Sequence, residues 1–265
     1  VPTNRAPRVA LRIEPVVRIG VPQRLQIWVD DDGQPLSAPA VSFAQIEGPP
    51  ATLEIDPAFP ALAWWTPTTP GVYRFSAQAN DGAQSASVEA SVLVLDDGDT
   101  RPTIAAINAG GASYTSVDGI AFGADTGFTG GTVETLGGLT TLIGTEDDVL
   151  HQGMRRGATV RYTHAVPDGR YLVVLYLSEW RWFTQVSRGL DIVLEGDTVL
   201  DDFDLFRWAG LRQALRLGHV VQVDDGLIDI EVARSSASSG DARLDAFEIL
   251  ALPPGDRVFA DGFEP

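Results

Sequence analysis

Short segments in which apolar and polar residues alternate, separated by turn residues, run through most of the sequence. The clearest is residues 227–232, where Ile228, Ile230 and Val232 alternate with acidic residues. A period of two predicts a strand with one buried and one solvated face. The chain also has 27 Gly and 17 Pro among its 265 residues and no sustained helical period, so we expect an all-β fold.

The N-terminal part, residues 1–97, is predicted to form an immunoglobulin-like β-sandwich. Its expected strands are residues 9–13, 24–29, 41–46, 62–65, 71–79 and 85–95. Asn80-Asp81-Gly82 predicts a hairpin between the last two, because a tight turn needs residues that tolerate positive φ. The turns of this part resemble those of PKD and related Ig-like modules on bacterial surface and secreted proteins: Asn4-Arg5-Ala6-Pro7, Val29-Asp30-Asp31-Asp32-Gly33, Pro70-Gly71-Val72-Tyr73 and Asn80-Asp81-Gly82.

Three tryptophans of this part can be assigned to strand faces. Leu25 and Ile27 share one face of the predicted strand, so we expect Trp28, the next residue, on the other face. There we expect it to pack under a loop or against the second domain. Trp64 and Trp65 are adjacent, so one is expected in the core and the other facing a loop or solvent.

A polar stretch with Gly and Pro, residues 96–102, predicts the domain boundary. We assign residues 98–102 as the linker, 103–252 as the second domain and 253–265 as a C-terminal tail. A linker of this length is expected to hold the two domains close without fixing their angle. The tail resembles the C-terminal endings of some exported bacterial proteins, or is an extension that docks Phe259 and Phe263 on a domain.

The second domain is predicted to be a jelly-roll β-sandwich. Residues 171–177 are apolar on both faces, as in a central strand covered on both sides. The expected strands are residues 104–108, 158–166, 171–177, 190–194, 217–223, 227–233 and 242–250.

Composition limits the partners and the chemistry. A net charge of −17 disfavours nucleic acid and anionic membrane surfaces, and no apolar run reaches the roughly 20 residues of a membrane span. The sequence has no Cys, no histidine spacing typical of zinc and no nucleophile elbow, and most acidic residues lie in turns or on solvated faces. We therefore expect no enzyme activity and no cofactor. Asp30-Asp31-Asp32-Gly33 lacks the spacing of an EF-hand loop and is interpreted as a solvated turn, with weak Ca²⁺ binding as the alternative.

The second domain carries a series of short motifs: Ile107-Asn108-Ala109-Gly110-Gly111, Asp118-Gly119, Ala124-Asp125, Phe128-Thr129-Gly130-Gly131, Gly144-Thr145-Glu146-Asp147-Asp148, Pro167-Asp168-Gly169-Arg170-Tyr171, Ser178-Glu179, Leu190-Asp191-Ile192, Val199-Leu200-Asp201-Asp202-Phe203-Asp204 and Ala246-Phe247-Glu248-Ile249-Leu250. In their type and order these motifs resemble the malectin family, a carbohydrate-binding module of bacterial secreted enzymes. The resemblance implies a secreted or cell-surface protein of bacterial origin, an oligosaccharide or polysaccharide partner such as a glucose-containing one, and a larger parent protein.

The same resemblance implies where a saccharide would bind. The family's two contact tyrosines correspond to Glu134 and Arg156, and its aromatic pair corresponds to Arg181-Trp182, preceded by Trp180. The family's acid corresponds to Gly240, with Asp241 one residue on. Phe183 and Trp208 are expected near the same end.

These replacements leave two interpretations open. Glu134 and Arg156 suit a charged or more polar sugar, or they form an ion pair that closes the pocket. In the second case the chain is a protein-interaction or structural surface module.

Overall fold

The computed structural model describes residues 3–35, 38–137, 141–180, 188–236 and 238–253. Within these ranges the chain is almost entirely β-strand, with a single short α-helix. The predicted all-β class is therefore confirmed. No helix in the described ranges is both long enough and apolar enough to cross a membrane.

The N-terminal part folds into two facing four-stranded sheets, ordered β1-β3-β6-β5 and β2-β8-β7-β4. Trp65 fills the core between them, with its ring centroid 4.7 Å from Tyr73 and 5.0 Å from Phe75. Trp64 points outward and is 44% exposed, so the predicted division of this pair is confirmed. The strands are β1 Arg8–Arg12, β2 Val16–Arg18, β3 Gln23–Asp30, β4 Ala40–Glu47, β5 Glu54–Ile55, β6 Leu62–Trp65, β7 Gly71–Asn80 and β8 Ser85–Leu95.

The remaining strands form a second pair of sheets, ordered β12-β15-β20-β17-β18 and β19-β16-β22-β9, with a small sheet β13-β14-β21 at one end and a β10-β11 ribbon. The strands are β9 Thr103–Asn108, β10 Tyr114–Thr115, β11 Ala121–Phe122, β12 Phe128–Thr129, β13 Thr132–Thr135, β14 Gly153–Gly157, β15 Thr159–Ala165, β16 Gly169–Ser178, β17 Gly189–Leu194, β18 Asp197–Asp204, β19 Ala214–Val223, β20 Leu227–Arg234, β21 Ala242–Leu244 and β22 Ala246–Ala251. A 3-10 turn spans Asp148–His151, and helix α1 spans Leu205–Ala209.

The prediction of one continuous strand over residues 242–250 is wrong in one respect. The chain leaves one sheet and enters another at Asp245, so β21 pairs with β14 whereas β22 pairs with β16 and β9. The side chain of Asp245 is fully buried at this break. A continuous strand could not place one half in each sheet.

Strand β16 is covered on both faces, as predicted. Val173, Leu175 and Leu177 belong to the large apolar core. The alternate residues Leu172 and Val174 belong to a second apolar cluster that includes Leu93 and Leu95 of β8. The N-terminal part therefore contributes to one of the two layers that bury this strand.

Aromatic stacking and ion pairs add to this contact between the two parts. Trp28 stacks on Trp208 of α1 at 5.7 Å between ring centroids and 11° between planes, which confirms that Trp28 packs against the second part. Arg207 of α1 lies 2.7 Å from Asp30. Three further ion pairs join the parts: Arg8–Asp202 at 2.5 Å, Arg216–Glu14 at 3.0 Å, and Arg170–Glu47.

The linker is itself held in place. Arg101 donates two hydrogen bonds to the fully buried carboxylate of Glu248 on β22, which also accepts from Thr103 and Tyr176. The expectation that the linker leaves the angle free is therefore wrong. The side-chain contacts on either side of the linker determine the angle, and linker length carries no information about them.

A glycine on β19 allows a close approach between the two parts. A Cβ on Gly218 would lie 2.5 Å from Cβ of Pro15 and 2.8 Å from the carbonyl oxygen of Ser91. Replacing Gly218 by any larger residue must therefore push the N-terminal part away from β19.

We predict that Gly218→Ala lowers the free energy of unfolding by about 1–3 kcal/mol, because the added methyl group overpacks the contact. Chemical denaturation measures the loss, and small-angle X-ray scattering is expected to show a larger radius of gyration. Gly137→Ala is the matched control, since a Cβ there meets nothing within 4 Å. Equal stability of the two variants would contradict the prediction.

Candidate functional site

The buried strand β16 ends in polar residues, Ser178 and Glu179, followed by Trp180. The indole Nε1 of Trp180 donates a hydrogen bond to Ser178 Oγ at 2.8 Å, and the ring is partly exposed. Because Ser178 is fully buried, this bond anchors one edge of the indole to the protein interior. Trp180 is thus held in a defined orientation at the end of the sheet.

Ser178 belongs to a buried polar network centred on Asp245. Ser178 Oγ donates to Asp245 Oδ2 at 2.5 Å, and His151 Nδ1 lies 2.8 Å from the same oxygen. Arg243 donates to the other oxygen, Oδ1, from Nε at 3.0 Å and from Nη2 at 2.5 Å. These four side chains are at most 1% exposed, so the carboxylate charge is compensated by direct contacts in place of water.

A second buried ion pair lies beside the first network. Glu179 and Arg188 are almost fully buried, with Arg188 Nε 2.6 Å from Glu179 Oε2. Arg188 also donates to the backbone carbonyl of Asp241. Burial lowers the pKa of Arg188, and the charge of Arg243 lowers it further, whereas the Glu179 carboxylate opposes both. This pair ties the end of β16 to the segment that precedes β21.

Glu134 and Arg156 form the ion pair that one interpretation of the sequence predicted. Arg156 Nε lies 3.1 Å from Glu134 Oε2, and the two side chains are 30% and 28% exposed. They lie on paired strands β13 and β14, where Arg156 is also opposite Arg243 of β21. Opposite residues of an antiparallel pair share a face. The pair therefore lies on the face of Arg243, which donates to Ser178 at 3.2 Å.

The structure thus brings four predicted residues to one end of the second part: Glu134, Arg156, Trp180 and Asp241. The Asp241 side chain is 35% exposed, and its Oδ1 lies 3.7 Å from Arg234 Nη1. Arg181, Trp182 and Phe183 lie outside the described residues.

Trp208 is not available at this site. It is 6% exposed and stacked on Trp28, so its ring faces the N-terminal part. The expectation that it contributes an aromatic surface here is wrong, because α1 turns the ring into the contact between the two parts.

The sequence did not lead us to predict the buried residues that hold the site in place, which are Arg188, Arg243, Asp245 and His151. A signal existed in the last predicted strand, where Arg243 and Asp245 interrupt an otherwise apolar run. Charged residues at buried strand positions require partners of opposite charge, so they indicate a buried pair.

A metal site is not evident in the described residues, where no cluster of three or more His, Asp or Glu side chains is arranged around a common point. In the acidic turn, Asp31 Oδ2 accepts from the Gly33 amide and Asp32 accepts from the amides of Arg5 and Gln34. Asp31 Oδ1 is buried and has no hydrogen-bond donor among the described residues. Weak Ca²⁺ binding at this turn stays a prediction.

The arrangement favours recognition over proton transfer. The two fully buried carboxylates of this region, Glu179 and Asp245, are each paired with an arginine, and Asp245 also accepts a hydrogen bond from Ser178. The groups that reach the surface are the anchored indole of Trp180 and the half-buried ion pair of Glu134 and Arg156. Such groups offer an apolar ring face, hydrogen-bond donors and acceptors to a ligand.

The malectin domain family model matches residues 103–246. Among solved structures, the ANX2 ectodomain from Arabidopsis thaliana matches with a TM-score of 0.52 and 13% identity, over 73% of this chain and 66% of that chain. The ANX1 ectodomain of the same organism matches with a TM-score of 0.52 and 10% identity, over 88% and 83%. At these identities the likeness concerns the fold.

A Bacteroides uniformis β-glucuronidase 2 structure has a TM-score of 0.49 and 17% identity, over 92% of this chain. The chain spans only 30% of the length of that enzyme. No curated protein matches the sequence.

We predict that Asp245→Asn lowers the free energy of unfolding by about 3–5 kcal/mol, because it leaves the buried Arg243 charge uncompensated. Denaturant titration measures the loss. The control is Glu231→Gln, which breaks a pair whose Arg161 side chain is 55% exposed. We expect less than about 1 kcal/mol there, and equal losses would argue against the network's role.

Proposed function

Because the chain belongs to the malectin family through residues 103–246, we propose that it is a non-catalytic module that binds an oligosaccharide or polysaccharide outside the cell. The binding surface is the end of the second part that carries Trp180, Glu134, Arg156 and Asp241. Arg181 and Trp182, which follow Trp180 in sequence, belong to the same proposed surface.

The anchoring of Trp180 is the observation that carries this proposal. A pyranose offers C–H surface to an aromatic face and hydroxyl groups to fixed polar groups. The bond from Trp180 to Ser178, which the Asp245 network holds in turn, orients the indole before any ligand arrives. Preorganisation of this kind reduces the entropy lost on binding.

The Glu134–Arg156 pair bears on which saccharide is bound. The family's expectation is a glucose-containing saccharide contacted by tyrosines at these two positions. A carboxylate and a guanidinium offer charged hydrogen bonds in place of two ring faces. We therefore propose a saccharide that is more polar or charged than the one the family pattern implies.

The N-terminal part, residues 1–97, is proposed to act as an Ig-like, PKD-type spacer joined by residues 98–102 to the binding domain at 103–252. In this proposal the chain is a secreted or surface-displayed portion of a larger bacterial protein. The contacts around Trp28 and Arg101 support a spacer that sets the direction of the binding surface.

We predict that Trp180→Ala and Trp182→Ala each weaken saccharide binding at least ten-fold, which corresponds to about 1.4 kcal/mol. A glycan array selects the ligand and titration calorimetry gives the affinity. Trp64→Ala is the matched control, because Trp64 is equally a partly exposed tryptophan but lies on the N-terminal part. Loss of binding in Trp64→Ala, or none in the other two variants, would exclude this surface.

A second candidate function is favoured by the ion pair itself. Glu134 and Arg156 pair with each other at 3.1 Å. They occupy the two positions at which the family has its contact tyrosines. In this alternative the saccharide pocket is closed and the chain is a structural or protein-interaction module of the cell surface.

The double variant Glu134→Tyr/Arg156→Tyr separates the two candidates. If the ion pair closes the pocket, restoring both tyrosines is expected to create binding to glucose disaccharides that the unaltered chain lacks. If the pair contacts the saccharide, the double variant is expected to bind the natural ligand at least ten-fold more weakly. Calorimetry on both proteins with the same disaccharides distinguishes these outcomes.

A further inference from the structure

A cleft with a volume of about 800 Å³ lies between the two parts of the molecule. The N-terminal part contributes the start of β1 and residues of β8, and the second part contributes the β17–β18 turn and β19. Arg170 and Gln222, which line it, are opposite each other at one end of the β16–β19 ladder, whereas Ser178 is opposite Ala214 at the other end. The cleft is therefore at the opposite end of β16 from Trp180.

His219 lines this cleft and lacks a partner. Its side chain is 8% exposed, and no residue that the structure describes forms a hydrogen bond with its ring. Burial lowers the pKa of His219 to about 4, and the nearby charge of Arg74 lowers it further. A neutral imidazole offers one N–H donor and one nitrogen acceptor. The ring is therefore suited to a ligand that supplies both an acceptor and a donor.

The three arginines around the cleft are already paired with carboxylates. Arg74 lies 3.2 Å from Glu47 and 2.5 Å from Glu89, and Arg170 also pairs with Glu47. Arg8, the third arginine of the lining, pairs with Asp202. An anionic ligand would therefore find no uncompensated cation here. The lining also includes hydroxyl groups and aliphatic surface, such as Thr198 and Val199.

We propose that the cleft binds a neutral polyhydroxylated ligand of saccharide size, with His219 hydrogen-bonding to its hydroxyl groups. A hydroxyl group both donates and accepts, which matches the two ring nitrogens of a neutral histidine. The volume falls within the range typical of small-molecule sites, and such sites often lie between domains. This site is separate from the proposed Trp180 surface and does not depend on it.

An extended peptide is the competing occupant, since β18 and β19 are edge strands of their sheets. Ser91 Oγ of β8 already accepts the backbone N–H of Val220 at 3.2 Å. The edge of β19 is thus partly occupied where an added strand would pair. The observations therefore favour the polyol over the peptide.

The test uses the whole chain labelled with ¹³C at the histidine rings. The sequence has three histidines, and His219→Gln assigns the signal of His219 by its disappearance. Titration with maltose and with cellobiose is expected to shift the His219 signal saturably and to leave His164 unchanged. The shift should persist in Trp180→Ala, which separates this site from the proposed surface.

Ser87→Trp provides a second variant, because Ser87 is an exposed residue of the lining and a large side chain there fills the cleft. We expect it to weaken the disaccharide response of His219 at least ten-fold. The proposal is overturned if His219 does not respond to either disaccharide, if Ser87→Trp responds like the unaltered chain, or if only an unstructured peptide shifts the His219 signal.

Discussion

The rest of the structure depends on the burial of β16 from both sides. One face belongs to the large apolar core, and the other to a second cluster that joins Leu93 and Leu95 of the N-terminal part to residues of the second part such as Phe122 and Leu150. A strand covered on one face only would expose Leu172 and Val174 to water, at a cost of roughly 1.5–3 kcal/mol for each side chain. The two parts therefore complete a common core, and their relative orientation follows from it.

The same strand connects two regions of different chemistry. Its C-terminal end carries Ser178, whose hydroxyl orients Trp180 at the proposed saccharide surface. His219 lies opposite Val173, five residues before Ser178 and so roughly 17 Å along the strand. Polar groups at both ends are either paired within the protein or available for a ligand. The apolar middle of the strand keeps the two regions apart.

Buried charge at the Trp180 end makes the site rigid. Removing one partner of the Arg243–Asp245 or Arg188–Glu179 pair leaves an uncompensated charge in the interior, which is far more costly than losing an exposed pair. Rigid support of this kind is what a recognition surface built on a sheet requires, because misplacing one aromatic ring loses its contact with the ligand. The half-buried Glu134–Arg156 pair, which we propose acts in recognition or closure, is expected to contribute little to stability.

The sequence by itself determined the all-β class, nearly every long strand and the two-sided burial of β16, because side-chain periodicity is a local property of the chain. It left the Glu134–Arg156 pair as one of two interpretations, and the structure shows the pair. The break at Asp245, the stacking of Trp28 on Trp208 and the environment of His219 were decided only by the tertiary structure. Each depends on residues that lie far apart in the sequence and meet only when sheets pack. Alternation shows which face of a strand is buried, but it does not show what buries that face.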